Sequence, residues 1–239
     1  MRTAHDIPIV PDATPATPSY DENCRRCDRL ASFLDAVHDA HPDYWCRPVP
    51  PFGADTAALV IVGLAPGMHG ANATGRPFTG DHAGILLYQT LFDFGYASQP
   101  RVAGRGDGMQ LTGVRITNAV KCLPPDNKPT PAETRTCNAF LAADLQRLPA
   151  GGAILALGRI AHDATLRALG LRAAAMTFAH GAQHRLDAGR MLIDSYHCSR
   201  YNTNTRRLTT PMFRAVFDAI ADHLGRARPE GEPAQPPRA

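Results

Sequence analysis

Short continuous apolar runs alternate along this chain with segments whose apolar residues recur at helical spacing. The runs AALVIVGLA, VRITNAV and AILALG are typical of strands that are buried on both faces of a sheet. Two further runs, QHRLDAG and RMLIDSYH, flank Asp187-Ala188-Gly189, a sequence that predicts a turn between two strands.

Between these runs, apolar spacing predicts four helices. They begin after Cys27, at Ala83, at Pro131 and at Leu208, and the last extends to about Leu224. The sequence TPAE at 130–133 is typical of a capping box with proline in the first turn. Strands that alternate with helices predict a three-layer α/β/α sandwich around a central, mainly parallel four-stranded sheet, which binds ligands at the carboxyl ends of its strands.

Composition limits the class of protein. With 239 residues and 44% hydrophobic content, the chain can bury one full core. We expect one domain over residues 21–226, between flexible Pro-rich tails at 1–20 and 227–239. We expect a cytoplasmic monomer without a membrane segment, because no apolar run approaches about 18 residues and no secretory signal is visible. The net charge of +3 permits, but does not require, local contact with nucleic acid.

Six cysteines add candidate chemistry, since a reducing compartment disfavours disulfides. Cys24 and Cys27 form a C-x2-C pair, and Cys122 and Cys137 form a second, wider pair. Four thiolates suggest either structural zinc or an iron-sulfur cluster, and the spacing alone does not separate the two. The alternative is that these cysteines are merely small apolar core residues.

A glycine-rich stretch, GLAPGMHGANATGRPFTGDHAG, follows the first strand. It lacks the G-x4-G-K-[ST] of a phosphate-binding loop and the G-x-G-x-x-G of a dinucleotide fold. A backbone this bare lets amides approach a flat or anionic group closely. Asn118 and His197 close two other predicted strands, so three segments should converge on one rim of the sheet. GRGDG at 104–108 is expected to be a surface loop.

The segments GLAPG with GANATGRPFTGD, TNAVKC with LPPDNKPTPAE, and HCSRYNTNTRRLT resemble the iron-sulfur uracil-DNA glycosylases, most closely the type 5 branch. The resemblance extends from about Cys24 to Leu224. Leu64 stands where the type 4 branch has glutamate, and the aspartate of FTGD also favours type 5. The resemblance implies a monofunctional enzyme of base-excision repair that flips uracil, and other deaminated bases such as hypoxanthine, out of DNA. It further implies a 4Fe-4S cluster on the four cysteines.

The resemblance also assigns roles to residues. Asp81 would position water or support the sugar cation, although an aspartate there can simply cap a helix. His197 would donate a hydrogen bond to the uracil oxygen, in a motif where Cys198 replaces the usual proline. Phe78 would stack on the base beside Gly63.

Two asparagines compete for the base edge. Asn118 matches the sister branch, and Asn127 matches the type 5 pocket. The DNA-contacting surface would include Lys121 and Lys128, together with four residues near the histidine motif: Arg200, Tyr201, Arg206 and Arg207. Arg206 and Arg207 would open the final helix.

One alternative belongs to a different class: a zinc-stabilised α/β protein that binds nucleotides or nucleic acid without breaking a bond. In that case Asp81 is only a cap and His197 has no chemical role. His180 and His184 could suggest another metal site, but without a third ligand they are expected to be solvated.

Overall fold

The computed structural model of the protein describes residues 18–227. The expected tails at 1–20 and 227–239 lie almost entirely outside this range. Ser19 is buried, and its hydroxyl accepts a hydrogen bond of 3.2 Å from Arg115. The packed part of the chain therefore begins slightly before the expected boundary.

Helices and strands alternate along the described chain. The helices are α1 (Asp28–Ala40), α2 (Ala71–Thr74), α3 (His82–Asp93), α4 (Pro131–Gln146), α5 (Arg159–Ala168), α6 (Arg200–Asn204) and α7 (Thr210–His223). The strands are β1 (Phe52–Gly53), β2 (Leu59–Gly63), β3 (Val114–Asn118), β4 (Ala153–Leu157), β5 (Gln183–Arg185) and β6 (Met191–Ser195). Short 3-10 turns lie at Pro125–Asn127, Ala173–Ala175 and Asp187–Gly189.

The strands form one sheet in the order β1-β3-β2-β4-β6-β5. The four central strands run parallel, whereas β1 and β5 pair antiparallel at the two edges. The predicted parallel core of four strands is therefore confirmed, and two short edge strands widen it. The hairpin predicted around Asp187–Gly189 is also confirmed, because it joins β5 to β6.

Alternating side chains of β2 show why the fold has three layers. Leu59 and Ile61 pack into a core with α3 and α7, whereas Val60 and Val62 pack into a second core with α4 and α5. Successive residues of a strand point to opposite faces, so a continuous apolar run needs helices on both sides. No helix within residues 18–227 has the length and apolar content needed to cross a membrane.

Helix starts follow local sequence signals. The capping box of α4 is present, with Thr130 accepting from the Glu133 backbone and the Glu133 side chain accepting from the Thr130 backbone. The last helix begins at Thr210 with Thr209 as its N-cap, later than predicted. Arg206 and Arg207 therefore lie in the turn between α6 and α7 and do not open a helix. Neither α5 nor α6 was predicted.

A buried charged cluster lies between β3 and α4. Asp144 accepts hydrogen bonds of 2.8 Å from Arg115, 2.8 Å from Thr117 and 3.2 Å from Lys121. Lys121 is only 2% exposed. The prediction that Lys121 contacts DNA is therefore wrong: its ammonium group points inward because the Asp144 carboxylate compensates its charge.

Candidate active site

The parallel strands end together at one edge of the sheet. Gly63, the last residue of β2, pairs with Asn118, the last residue of β3. Leu157 at the end of β4 pairs with Ser195 at the end of β6, and His197 follows two residues later. The predicted convergence of three distant segments on one rim is thus observed.

Phe78 lies at the centre of this rim. A β-carbon at Gly63 would approach its ring to 2.7 Å and would overlap the Asn118 side chain, so glycine there leaves room for both. The Phe78 ring stacks on His197, with 5.9 Å between ring centroids and 28° between ring planes. One aromatic ring therefore lies against the end of β2 and against the segment that follows β6.

The backbone of Phe78 is strained. Its φ of 56° lies in the left-handed region, which large side chains rarely occupy and which costs on the order of 1–3 kcal/mol. The hydroxyl of Tyr88 on α3 donates to the carbonyl of the preceding Pro77 at 2.8 Å and helps to hold the segment. An ordinary core phenylalanine needs no such conformation, so the strain favours a functional role.

Asp81 occupies the N-cap position of α3, but its side chain makes no capping hydrogen bond. A β-carbon at Gly70 would lie 2.6 Å from Oδ2, so the carboxylate rests against bare backbone. Oδ1 is buried and has no hydrogen-bond partner in the described part of the chain. Burial raises the pKa of Asp81, while nearby N–H groups of Gly84 and Ala83 and the charge of His82 lower it. The carboxylate therefore lies near the first N–H groups of α3 without forming a capping hydrogen bond of regular geometry.

His197 is neutral at physiological pH, because burial lowers the pKa of its imidazole to about 4. Its carbonyl accepts a hydrogen bond of 2.8 Å from Asn202. The following Cys198 is fully buried, and burial, with a smaller contribution from the charge of Asp81, raises the pKa of its thiol to about 12. The residue after Asp81, His82, lies 3.0 Å from the Thr203 hydroxyl, and the neighbouring Asn202 is bonded to His197, so the segments of Asp81 and His197 lie close together.

The two candidate asparagines differ in position. Asn118 is 4% exposed and its side-chain oxygen lies over Gly63, beside Phe78. Asn127 is exposed in the turn Pro125–Asn127, with a φ of 55°, and its backbone N–H donates to Pro124 at 3.1 Å. None of the contacts of Asn127 within residues 18–227 joins it to Phe78. The structure thus places Asn118 beside Gly63 and Phe78 and leaves Asn127 on a surface turn.

The predicted cationic residues lie on the surface beside His197. Arg200 and Tyr201 begin α6, and the Tyr201 side chain is 71% exposed. Arg206 and Arg207 are exposed in the next turn, where the Arg207 guanidinium lies 4.6 Å from the ring centroid of Tyr196. Three guanidinium groups and one aromatic ring therefore border the rim.

The four paired cysteines also meet in space. Cys24, Cys27, Cys122 and Cys137 line one small cavity together with Val120 and Phe140. Burial and neighbouring cysteines raise the pKa of the Cys122 thiol, and the Lys121 backbone N–H donates to the Cys137 sulfur at 3.3 Å. Thiolates that share one small, partly buried cavity repel one another unless a cation lies between them, so this donor set fits a metal centre.

His184 is not solvated, contrary to the prediction. It donates to Asp194 Oδ2 at 3.0 Å, while His162 lies 2.8 Å from Oδ1, and His162 and Asp194 are fully buried. Each imidazole uses a different carboxylate oxygen at a hydrogen-bond distance, whereas tetrahedral zinc would separate such ligand atoms by about 3.3 Å. This cluster cross-links α5, β5 and β6 through hydrogen bonds. Sequence spacing could not reveal it, because its members come from three elements.

A mainly parallel sheet whose carboxyl edge combines a glycine-rich loop, an aromatic ring and a neutral histidine defines a small-ligand or nucleobase site. The family model of the uracil DNA glycosylase superfamily matches residues 50–221. The chain belongs to this superfamily.

Individual relatives agree with that assignment. The chain is 48% identical over 199 residues to a type-5 uracil-DNA glycosylase of Thermus thermophilus, covering 81% of this chain and 90% of the relative. It is 41% identical over 207 residues to a type-5 uracil-DNA glycosylase of Pyrobaculum aerophilum, covering 85% and 90%. A type-4 uracil-DNA glycosylase of Archaeoglobus fulgidus is 34% identical over 140 residues, covering 58% of this chain and 56% of the relative.

Proposed function

We propose that the protein hydrolyses the N-glycosidic bond of uracil in DNA and leaves an abasic site. The observation that carries this proposal is that Phe78 stacks on His197 and that the segment of Asp81 is tied through His82 and α6 to the same histidine, in a chain of the uracil DNA glycosylase superfamily. The similarity to type-5 enzymes from two other organisms over more than four fifths of the chain supports it.

The chemistry needs two opposite charges to be stabilised. As the C1′–N1 bond breaks, its electron pair leaves with N1 of uracil, and the sugar becomes an oxocarbenium ion. A neutral His197 can donate an N–H to the uracil oxygen on which negative charge accumulates. Because the donor is already fixed by the end of β6, no reorganisation is needed during the reaction.

Asp81 would act on the sugar side. Its carboxylate has a free buried oxygen, which can hold a water molecule beside C1′ or stabilise the developing cation. The water oxygen forms the new bond to C1′, and its proton passes to the carboxylate or to the departing base. The bare backbone at Gly70 allows the carboxylate to lie deep in the loop.

The uracil would leave the duplex to reach this site. Enzymes that act on bases extrude the nucleotide and stack the base on an aromatic ring, which is the role we assign to Phe78. Asn118, already beside Phe78, is placed to read the pyrimidine edge, since its amide can both donate and accept. Asn127 would have to reach the base from its exposed turn. Arg200, Arg206, Arg207 and Tyr201 would hold phosphates and fill the gap in the duplex.

We further propose that Cys24, Cys27, Cys122 and Cys137 hold a 4Fe-4S cluster. Tetrahedral zinc with bonds of about 2.3 Å keeps its sulfur ligands about 3.8 Å apart. A 4Fe-4S cluster also takes four cysteine ligands but spaces them more widely, because the sulfurs bind four different iron atoms. The resemblance of the cysteine segments to the iron-sulfur glycosylases supports the cluster over zinc. Its contribution when bound would be structural, joining α1 to α4 and to the segment after β3.

The deciding experiment is an assay on a duplex oligonucleotide with a single uracil. We expect strand scission only after alkali treatment, with wild-type protein active and Asp81→Asn and His197→Ala strongly impaired. Scission without alkali would instead indicate lyase chemistry. An inactive wild-type protein that still binds DNA would overturn the proposal and favour a binding module.

A variant pair tests the metal centre. Cys122→Ser should abolish the broad visible absorption expected of the purified protein, whereas Cys46→Ser should retain it. Cys46 is a matched control because it is another cysteine shielded from solvent, but its sulfur accepts a hydrogen bond of 3.4 Å from Asn72 and lies outside the cavity. A colourless wild-type protein that contains zinc would contradict the cluster.

A further inference from the structure

The short helix α6 is tied to both segments that carry the proposed chemistry. Its Asn202 side chain donates to the carbonyl of His197 at 2.8 Å. Its Thr203 hydroxyl lies 3.0 Å from Nε2 of His82, the residue that directly follows Asp81. The two bonds leave from adjacent residues of one helical turn, so a rigid movement of α6 acts on both segments together.

Thr203 has only one hydroxyl proton, which decides the donor and the acceptor in its hydrogen bond with His82. The Thr203 hydroxyl also lies 3.2 Å from the carbonyl of Ser199 and 3.1 Å from that of Arg200. Carbonyl oxygens only accept, so the single hydroxyl proton points to them. The lone pairs of Thr203 therefore face His82, and Nε2–H of His82 is the donor.

The same helix is the one that presents side chains outward. Arg200 and Tyr201 are exposed at its start, one turn or less from Thr203. A contact between these side chains and a DNA backbone would therefore fix the helix that bridges the two catalytic segments.

We propose that Thr203 and His82 are positioning residues that couple DNA contact at α6 to the alignment of Asp81 with His197. This inference rests on the proposed function. Neither residue needs to touch the base, since both act through the segments to which they are bonded. Their bond matters most once DNA is bound, so its loss should change the catalytic step more than substrate affinity.

Thr203→Val removes the bond to His82, and Thr205→Val is its matched control. Thr205 lies at the end of the same helix, and its hydroxyl makes equivalent local bonds to Tyr201 and Asn202 at 2.7 and 3.5 Å. Both variants lose a local helix bond, but only the first loses the cross-link. We expect Thr203→Val to lower kcat about 3- to 10-fold with KM within about twofold, from the loss of one hydrogen bond.

Two further variants separate positioning from general damage. Thr203→Ser retains the acceptor and should restore kcat to near the wild-type value. His82→Leu should lower kcat to a similar extent, and the double variant with Thr203→Val should be no worse than either single variant, because both changes remove the same bond. Equal kcat for Thr203→Val and Thr205→Val, or fully additive losses, would overturn the coupling.

A second measurement does not depend on turnover. With a duplex that contains the non-cleavable nucleoside 2′-fluoro-2′-deoxyuridine, the backbone amide signal of Ala83 should shift on binding in wild type and Thr205→Val, and the shift should be reduced in Thr203→Val. An unchanged shift in Thr203→Val refutes the coupling alone. A wild-type protein that binds the duplex without cleaving uracil overturns the proposed function but not the link, and one that neither binds nor cleaves overturns both.

Discussion

Asp81→Asn should separate activity from stability, because Asp81 has a free carboxylate oxygen and a raised pKa. A group whose pKa is higher in the folded state stabilises the fold only when protonated. This stabilisation is complete below the unfolded pKa of about 3.9 and disappears as the pH rises through the folded value. At pH 7 the charged carboxylate is therefore a cost to the folded state, and a neutral amide of nearly the same shape removes it.

The expected effect of Asp81→Asn on the reaction rate is much larger than its effect on stability. Loss of a positioned acid or base lowers rates by about 10²–10⁴-fold, or about 2.7–5.4 kcal/mol in the barrier. The free energy of unfolding at pH 7 should stay level or rise by about 1 kcal/mol, which corresponds to a Tm increase of about 2–4 °C for a domain of this size. Single-turnover release of uracil and thermal unfolding measure the two quantities.

Asp107→Asn provides the contrast. Asp107 forms an ion pair of 2.6 Å with Arg76 and accepts from the backbone N–H groups of Ala103 and Met109 at 2.9 and 3.0 Å. Its loss should destabilise the fold by about 1–3 kcal/mol and leave uracil release by the folded protein intact. If Asp81→Asn instead unfolds like Asp107→Asn and cleaves uracil near the wild-type rate, Asp81 is a structural residue and the proposed mechanism is wrong.

Four other outcomes are expected. His197→Gln should lower single-turnover uracil release by roughly 10²-fold. The wild-type rate should fall at acid pH, because Asp81 becomes protonated through its raised pKa, and a pH-independent rate down to pH 4 would contradict the role of the Asp81 carboxylate. Asn118→Ala should reduce the preference for uracil over hypoxanthine in duplex DNA, and unchanged selectivity would exclude it from reading the base. Arg206→Ala should weaken DNA binding and reduce the slope of log affinity against log salt by about one, whereas Arg172→Ala, an exposed arginine after the far end of α5, should change neither.

Much of the fold was predictable because the strongest signals are local. Continuous apolar runs located the central strands, and the TPAE sequence located the start of α4. The short edge strand β1 has only two residues and no periodicity of its own. Helix α6 depends on Ser199, whose side chain accepts from the Asn202 N–H at 3.4 Å, a signal too brief to separate from a turn.

The sequence could predict which residues belong to the candidate site, but not which side chains they contact. Strand ends place Gly63, Asn118 and His197 on one rim by topology alone, which sequence reasoning could anticipate. The inward direction of Lys121 could not be anticipated, because its partner Asp144 lies 23 positions away on a helix. The cross-link between His82 and Thr203 spans 121 positions and leaves no trace in either local sequence.

The two cysteine pairs differ in how firmly the fold attaches them to the sheet. Cys122 follows β3 and Cys137 lies on α4, and the hydrogen bonds of Asp144 and the packing of α4 hold both segments against the sheet. Cys24 and Cys27 lie at the start of α1, which is attached through the ion pair of 2.7 Å between Arg29 and Glu133, a hydrogen bond of 3.1 Å from Arg29 to the Lys128 carbonyl, and packing of Leu30. Removal of the proposed cluster should therefore loosen the segment around α1 before it affects the glycine-rich rim, so protease sensitivity should appear first around residues 20–40.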